Sequence, residues 1–431
     1  MTHPPRANTR RAENAQEGVR PKVSNGGAMA RQKQQPLEHR LLLTATFCLL
    51  AGGAVMVYSA SSARTMLQGQ GDGTAYLTKY VAYGAVGLLG MYLVSRLNLE
   101  LIRRYTGVLL ATAFALLLLV KVPGVGVRVN GAHRWLGFGP LQFQPSEIMK
   151  VALILYISAM VAQRPKMARN IRTLGPVLLV AIGAVGLIAL QPDLGTDLVI
   201  CATVGTMLIA AGLPMRQLGL AAGTGAGLIM LFAIFEPYRR ARLTSFLDPW
   251  DHASGAGFQA VQGQIAIGSG GLFGHGLGAS IQKIFYVPEA HTDFILAVIG
   301  EELGLAGILA LLSLYGIIGY AGLRTARNAK GIYAKLLAGG LTSLILCQAL
   351  LNVYAVLGLA PLTGVPLPFI SSGSTSLIVM LGAMGLLLNV ASNGGTASHL
   401  RVVSHAPDRD RGGRDGRTRG AGDRGRRRAA S

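Results

Sequence analysis

Lys283-Ile-Phe-Tyr-Val-Pro-Glu-Ala-His-Thr-Asp-Phe-Ile-Leu-Ala-Val-Ile-Gly-Glu-Glu-Leu-Gly304 passes from a polar loop directly into an apolar helix. Glu289, His291, Asp293, Glu301 and Glu302 fall within it, in a chain that has only 19 acids in 431 residues. Ionisable groups at or inside a membrane are costly and mark function by default. Pro288 suits the first turn of a helix. A helix starting there puts Glu289 and Asp293 four residues apart on one face. Two such carboxylates push each other's pKa apart, whereas a helix N-terminus favours ionised Asp293. The residues alone leave that balance open.

The rest of the chain has the composition of a membrane protein: 51% hydrophobic and 14% charged, with mean hydropathy +0.44. Ten apolar runs follow one another at 41–58, 76–94, 105–122, 146–161, 174–190, 196–213, 217–235, 294–323, 336–357 and 374–390. Each approaches the ~20 residues that a bilayer requires. The expected fold is therefore all-α: a polytopic membrane protein of about ten helices, with a long extracytoplasmic loop, 236–291, between helices 7 and 8. The small residues after the first run offer a cleavage site, but the long polar stretch before it and the spans after it favour an uncleaved helix. The domain expectation is a basic disordered tail over 1–40, a membrane domain over 41–393 and an Arg-rich disordered tail over 394–431.

The net charge is +21. Residues 1–40 carry 8 Lys/Arg against 3 acids, and residues 394–431 carry 10 Arg against 4 Asp. Basic flanks on a multi-pass chain fit contact with anionic lipid, so no nucleic-acid partner is expected. One alternate set of short loops holds Arg96, Arg103, Arg104, Arg164, Lys166, Arg169, Arg172, Arg216, Arg324, Arg327, Lys330 and Lys335. The other set holds fewer cations, Arg64, Lys79, Lys121, Arg128 and Arg134. That asymmetry predicts both termini in the cytoplasm and Asp293 at the outer face. Cys48, Cys201 and Cys347 lie in apolar runs and read as small core residues.

Three outer segments hold most of the distinctive residues. In residues 130–150, Trp135 reads either as an interface anchor or as a platform for a sugar or isoprenoid. Lys150, one turn into a helix begun by Pro145, reads as an ion pair with Glu147 or as a phosphate ligand. In Gln191-Pro-Asp-Leu-Gly-Thr-Asp197, Asp193 reads as a helix cap or a site residue. The loop 236–291 is Gly-rich but has no Gly-Lys and no G-x-G-x-x-G after a strand, which excludes a nucleotide loop. Without H-E-x-x-H or C-x-x-C, a zinc site is excluded too. His275 and His291 read as structural hydrogen-bonders or bases. Finally, residues 352–376 form a Pro/Gly-broken re-entry. Its Ser371 and Ser372 hydroxyls, near a helix N-terminus, suit an anionic group.

Pro288-Glu-Ala-His-Thr-Asp-Phe-Ile295, Gly300-Glu-Glu-Leu-Gly304, Gln144-Pro-Ser-Glu147, Gln191-Pro-Asp-Leu-Gly-Thr196 and Ala266-Ile-Gly-Ser-Gly-Gly271 together resemble the SEDS family (shape, elongation, division, sporulation). The stretch 352–376 is similar to that family's C-terminal motif. Gln282-Lys283 and Pro288–Asp293 are closer to its division branch than to its elongation branch. Ser374 replaces a second Gly of the family pattern, and Gly263 replaces a Ser.

The resemblance implies a peptidoglycan glycosyltransferase that polymerises lipid II at the outer face of the bacterial cytoplasmic membrane, at the division septum. It implies as partners a class B penicillin-binding protein, the transpeptidase, and other division proteins. The leaving group, a polyprenyl pyrophosphate, is already activated, so no nucleotide is needed. The attacking sugar hydroxyl needs a general base, for which Asp293 is the candidate. Arg128, Lys150, Arg239, Lys283 or a divalent cation (Mg or Mn) are the candidates to stabilise the pyrophosphate. Glu289 would tune Asp293 or hold the cation. Trp135, Asp193, His291, Ser371 and Ser372 complete the candidate substrate-binding set. The alternatives are a lipid II flippase, since intramembrane charges and broken helices also suit transport, and a non-catalytic division scaffold.

Overall fold

The computed structural model describes residues 1, 36–67, 69, 73–129, 132–138, 141–235, 245–255, 257–284 and 290–394. Both expected tails, apart from Met1, residues 36–40 and Gly394, lie outside these residues, as do Arg239 and Glu289. The elements in chain order are α1 (Leu37–Leu67), α2 (Ala75–Arg96), α3 (Leu99–Leu119), β1 (Gly126–Val129), β2 (Ala132–Phe138), β3 (Leu141–Phe143), α4 (Pro145–Gln163), α5 (Gly175–Ala189), α6 (Leu194–Ala211), α7 (Met215–Phe235), α8 (Phe258–Ser269), α9 (Ile295–Asn328), α10 (Gly331–Val356) and α11 (Ser374–Gly394). All ten expected spans fall on helices, α1–α7 and α9–α11. Among the described residues, eight helices are long and apolar enough to cross a membrane; α5, with 15 residues, is a shorter apolar helix.

The boundaries follow local chemistry. Asn98 opens α3 by accepting a hydrogen bond from the Glu100 amide (3.0 Å). Pro145 occupies the first turn of α4, where a missing N–H costs nothing. Gly212, at φ 100°, closes α6. α1 runs past residue 58 because the small residues there stay helical: Ser61 and Thr65 return their hydroxyls to Val57 O and Ser61 O.

The all-α expectation holds; one feature was not anticipated and one boundary needs correction. Among the described residues the helices are joined by a small antiparallel β1-β2-β3 sheet between α3 and α4. Val127 pairs with Trp135, Leu136 with Phe143, and the register shifts between Val127 and Arg128. Glycines hide the two-residue period of this segment from a reading of the sequence. The helix expected from Pro288 begins instead at Ile295, with residues 290–294 in a turn. Asp293 therefore sits outside the helix, in the turn that precedes it.

α4 and α11 form the centre, 78% of their apolar windows being buried, against 22% for α2 and α3 at the rim. Rim helices expose Val81, Val86, Leu89, Leu101 and Val108, as lipid-facing helices do. α11 meets α2 backbone to backbone: a Cβ on Gly385 would lie 2.6 Å from Met91 O.

α9 is broken at Gly304 (φ 67°, ψ −162°). The loop after α8 repairs the break. Leu305 N and Ala306 N donate to Gly271 O and Leu272 O, while His275 N and Gly276 N donate to Glu301 O and Glu302 O, all at 3.0–3.1 Å. Broken helices are tolerated at membrane depth when other protein satisfies the freed backbone groups. The same loop is pinned by a buried ion pair: Lys283 Nζ lies 2.7 Å from Glu302 Oε1, with Gly278 O at 2.8 Å and Ser59 of α1 at 3.2 Å.

Candidate active site

Asp293 is half-buried in the turn before α9. Thr292 donates its hydroxyl to Asp293 Oδ1 (3.0 Å). The turn is stapled by its carbonyls. Ser372 donates through N (3.1 Å) and Oγ (2.8 Å) to His291 O, and Asn352 Nδ2 donates to Asp293 O (2.7 Å). The opposite wall is the re-entrant segment between α10 and α11. Gly364 lines that wall: a Cβ there would lie 3.7 Å from Asp293 Oδ2, in ordinary contact. The His291 ring packs on Tyr76 at the start of α2, with centroids 4.1 Å apart. Ser371 is buried, and its Oγ accepts from Leu367 N (2.9 Å), which makes it a brace of the segment. Asp293, His291 and Ser372 are thus brought together.

The re-entrant segment hangs from one face of α10. Asn352 Nδ2 also donates to Val365 O (2.8 Å), and Gln348, one turn earlier, donates to Pro366 O (3.0 Å). Lys150 backs this face, giving one hydrogen bond to Gln348 Oε1 (2.7 Å) and one to Glu147 Oε1 (2.9 Å). The pair expected from the spacing of Glu147 and Lys150 is present and fully buried. Both candidate lysines, Lys150 and Lys283, are thus already paired inside the protein.

A second polar cluster adjoins the same segment. Asp193 caps α6, accepting from Thr196 N and Oγ1, and also accepts from Gln144 Nε2 (2.9 Å). Arg134 of β2 lies 3.9 Å from Asp193 and donates to Gln191 O and Pro192 O. Gly195 packs so closely on Thr363 that a Cβ would meet its carbonyl at 2.5 Å. Trp135 is half-buried on β2, and Arg128 lies on β1. Among the described residues, no three His, Cys, Asp or Glu side chains converge on a metal position. A divalent cation here would draw most of its ligands from substrate phosphates and water, as Mg2+ commonly does.

Asn352, Gln348, Tyr76 and Arg134 were not assigned roles from sequence. The signal for the first two was available: polar side chains four residues apart on an apolar helix share a face and need partners.

The chain is similar to known proteins in sequence and in fold. The family model for cell cycle proteins of the FtsW, RodA and SpoVE type matches residues 39–395. Stage V sporulation protein E of Bacillus subtilis is 39% identical over 352 residues, 81% of this chain and 96% of that protein. A protein of Thioalkalivibrio sulfidiphilus named "Probable peptidoglycan glycosyltransferase FtsW" is 40% identical over 379 residues, 86% and 94% of the two chains. Among solved structures, a chain from work on the coordination of polymerization and crosslinking by a peptidoglycan synthase complex superposes with TM-score 0.69 at 30% identity, covering 81% of this chain and 96% of that one. The rod shape determining protein RodA of Thermus thermophilus gives TM-score 0.60 at 30% identity, with 81% and 95% covered. The chain belongs to the FtsW/RodA/SpoVE family of cell cycle proteins.

Proposed function

We propose that the chain is a peptidoglycan glycosyltransferase that polymerises lipid II, with Asp293 as general base. The observation that carries this reading is the Asp293 turn: one half-buried carboxylate, held by its backbone at the meeting of α2, α9 and the re-entrant segment. In the proposed step, an acceptor sugar hydroxyl attacks the anomeric carbon of the donor. The new glycosidic C–O bond forms as the bond to pyrophosphate breaks. The hydroxyl proton passes to Asp293, and the electron pair leaves with the polyprenyl pyrophosphate. Lys150 and Lys283 are each bonded to a buried carboxylate, so drawing either to a substrate would strand a charge. Arg128 and Arg239 remain the proposed partners of the leaving group, with a divalent cation, Mg2+ or Mn2+, as a further one. The names of the relatives and the synthase-complex likeness support this reading.

The same reading places both termini in the cytoplasm, Asp293 at the outer face, and the protein at the septum beside a class B penicillin-binding protein. A lipid II flippase is the competing activity. The test is conversion of lipid II to glycan by the purified chain with its transpeptidase, in detergent, where no gradient or second compartment exists. Glycan product supports the polymerase. Absence of product, with lipid II translocation in vesicles, supports the flippase.

A further inference from the structure

We propose that Asn352 is a positioning residue for the Asp293 turn, acting on its backbone. This rests on the assignment of Asp293 as base. Asn352 is 2% exposed, and its single amide nitrogen serves two irregular segments, Asp293 O at 2.7 Å and Val365 O at 2.8 Å. Because both partners are carbonyls, the amide orientation is fixed: the nitrogen must face them. That leaves Asn352 Oδ1 buried with no hydrogen-bond partner, which is destabilising. A side chain chosen for packing alone would avoid this cost. The amide instead sets the separation between the Asp293 carbonyl and the strip that carries Gly364, the residue beside Asp293 Oδ2.

The anchor itself is rigid. Asn352 sits one turn beyond Gln348, which holds the next carbonyl, Pro366 O, and is fixed in turn by Lys150. Ser372 fixes the other side of the turn at His291 O. The Asp293 turn is therefore held by two residues, Asn352 at the Asp293 carbonyl and Ser372 at the carbonyl two residues earlier. Displacement of a reacting group by about 1 Å costs on the order of 10²-fold in rate.

The test compares Asn352→Leu and Asp293→Asn with wild type, each purified as the full chain with its transpeptidase and assayed for lipid II polymerisation and thermal melting. Asn352→Leu removes both donated bonds and the orphaned oxygen together. The expected result is a kcat lower by about 10–100-fold, with KM for lipid II unchanged and the protein still folded. A raised KM with kcat intact would overturn the proposal, as would wild-type kinetics. If Asn352→Leu does not fold, Ser372→Ala, which removes one bond from the other staple, must show the same fall in kcat at constant KM; if it does not, the proposal falls. An inactive Asp293→Asn beside a fully active Asn352→Leu defeats only the positioning role. A fully active Asp293→Asn defeats the base assignment itself.

Discussion

Lys283 and Asp293 are ten residues apart in sequence, yet the structure gives them opposite tasks. Asp293 stands half-buried at the end of the bundle, whereas Lys283 is sealed against Glu302 and Ser59. Lys283→Met would leave Glu302 uncompensated at 0% exposure, a loss of about 3–5 kcal/mol. A large drop in melting temperature is expected, with Glu302→Leu in the same chain restoring much of it. Unchanged melting with a raised KM for lipid II would instead make Lys283 a substrate ligand. For Asp293→Asn the expectation is the reverse: unchanged melting and a polymerisation rate lower by ~10²–10⁴-fold. At this scale, sequence spacing revealed what is local. The Asp193 cap spans three residues and the Glu147–Lys150 pair also spans three. It did not reveal Asn352 to Asp293, 59 residues apart, or Lys283 to Ser59, 224 apart. Such partners depend on how the helices pack, which no short spacing encodes.

Among the elements, α9 departs most from its reading in sequence. The apolar run from Phe294 located the helix, but Pro288 suggested an earlier start than Ile295. A proline permits a first turn without requiring one, and here the bonds from Ser372 and Asn352 hold residues 291–293 in a turn. The break at Gly304 was likewise hidden, because one glycine in an apolar run reads as a tolerated helix residue. Its partner, the glycine-rich loop after α8, folds closely onto the broken helix through four backbone hydrogen bonds. Gly304→Ala must hold an alanine at φ 67°, with its Cβ 2.4 Å from Gly274 N. Backbone strain alone costs roughly 1–3 kcal/mol, and the clash adds to it. A clear fall in melting temperature is expected; wild-type melting would mean that the interlock of α9 with this loop is not needed for stability.

For the whole molecule, the periodic apolar runs were enough to place all ten expected spans on helices, because a bilayer imposes length and composition on each span separately. The β1-β2-β3 sheet was not legible, since its strands are only 4, 7 and 3 residues long. Loop charges predict orientation, and two introduced cysteines test it in a chain lacking its own three. Ser254→Cys is expected to react with an impermeant maleimide on intact cells, and Ser398→Cys is not. The opposite pattern would put Asp293 on the wrong side of the membrane for a lipid II polymerase. The most direct test of the central claim is lipid II polymerisation by the purified chain bound to its transpeptidase, with the Asp293→Asn complex assayed in parallel. The account predicts glycan strands from the first and near-complete loss from the second, with folding and transpeptidase binding intact. Equal rates from the two complexes would contradict it.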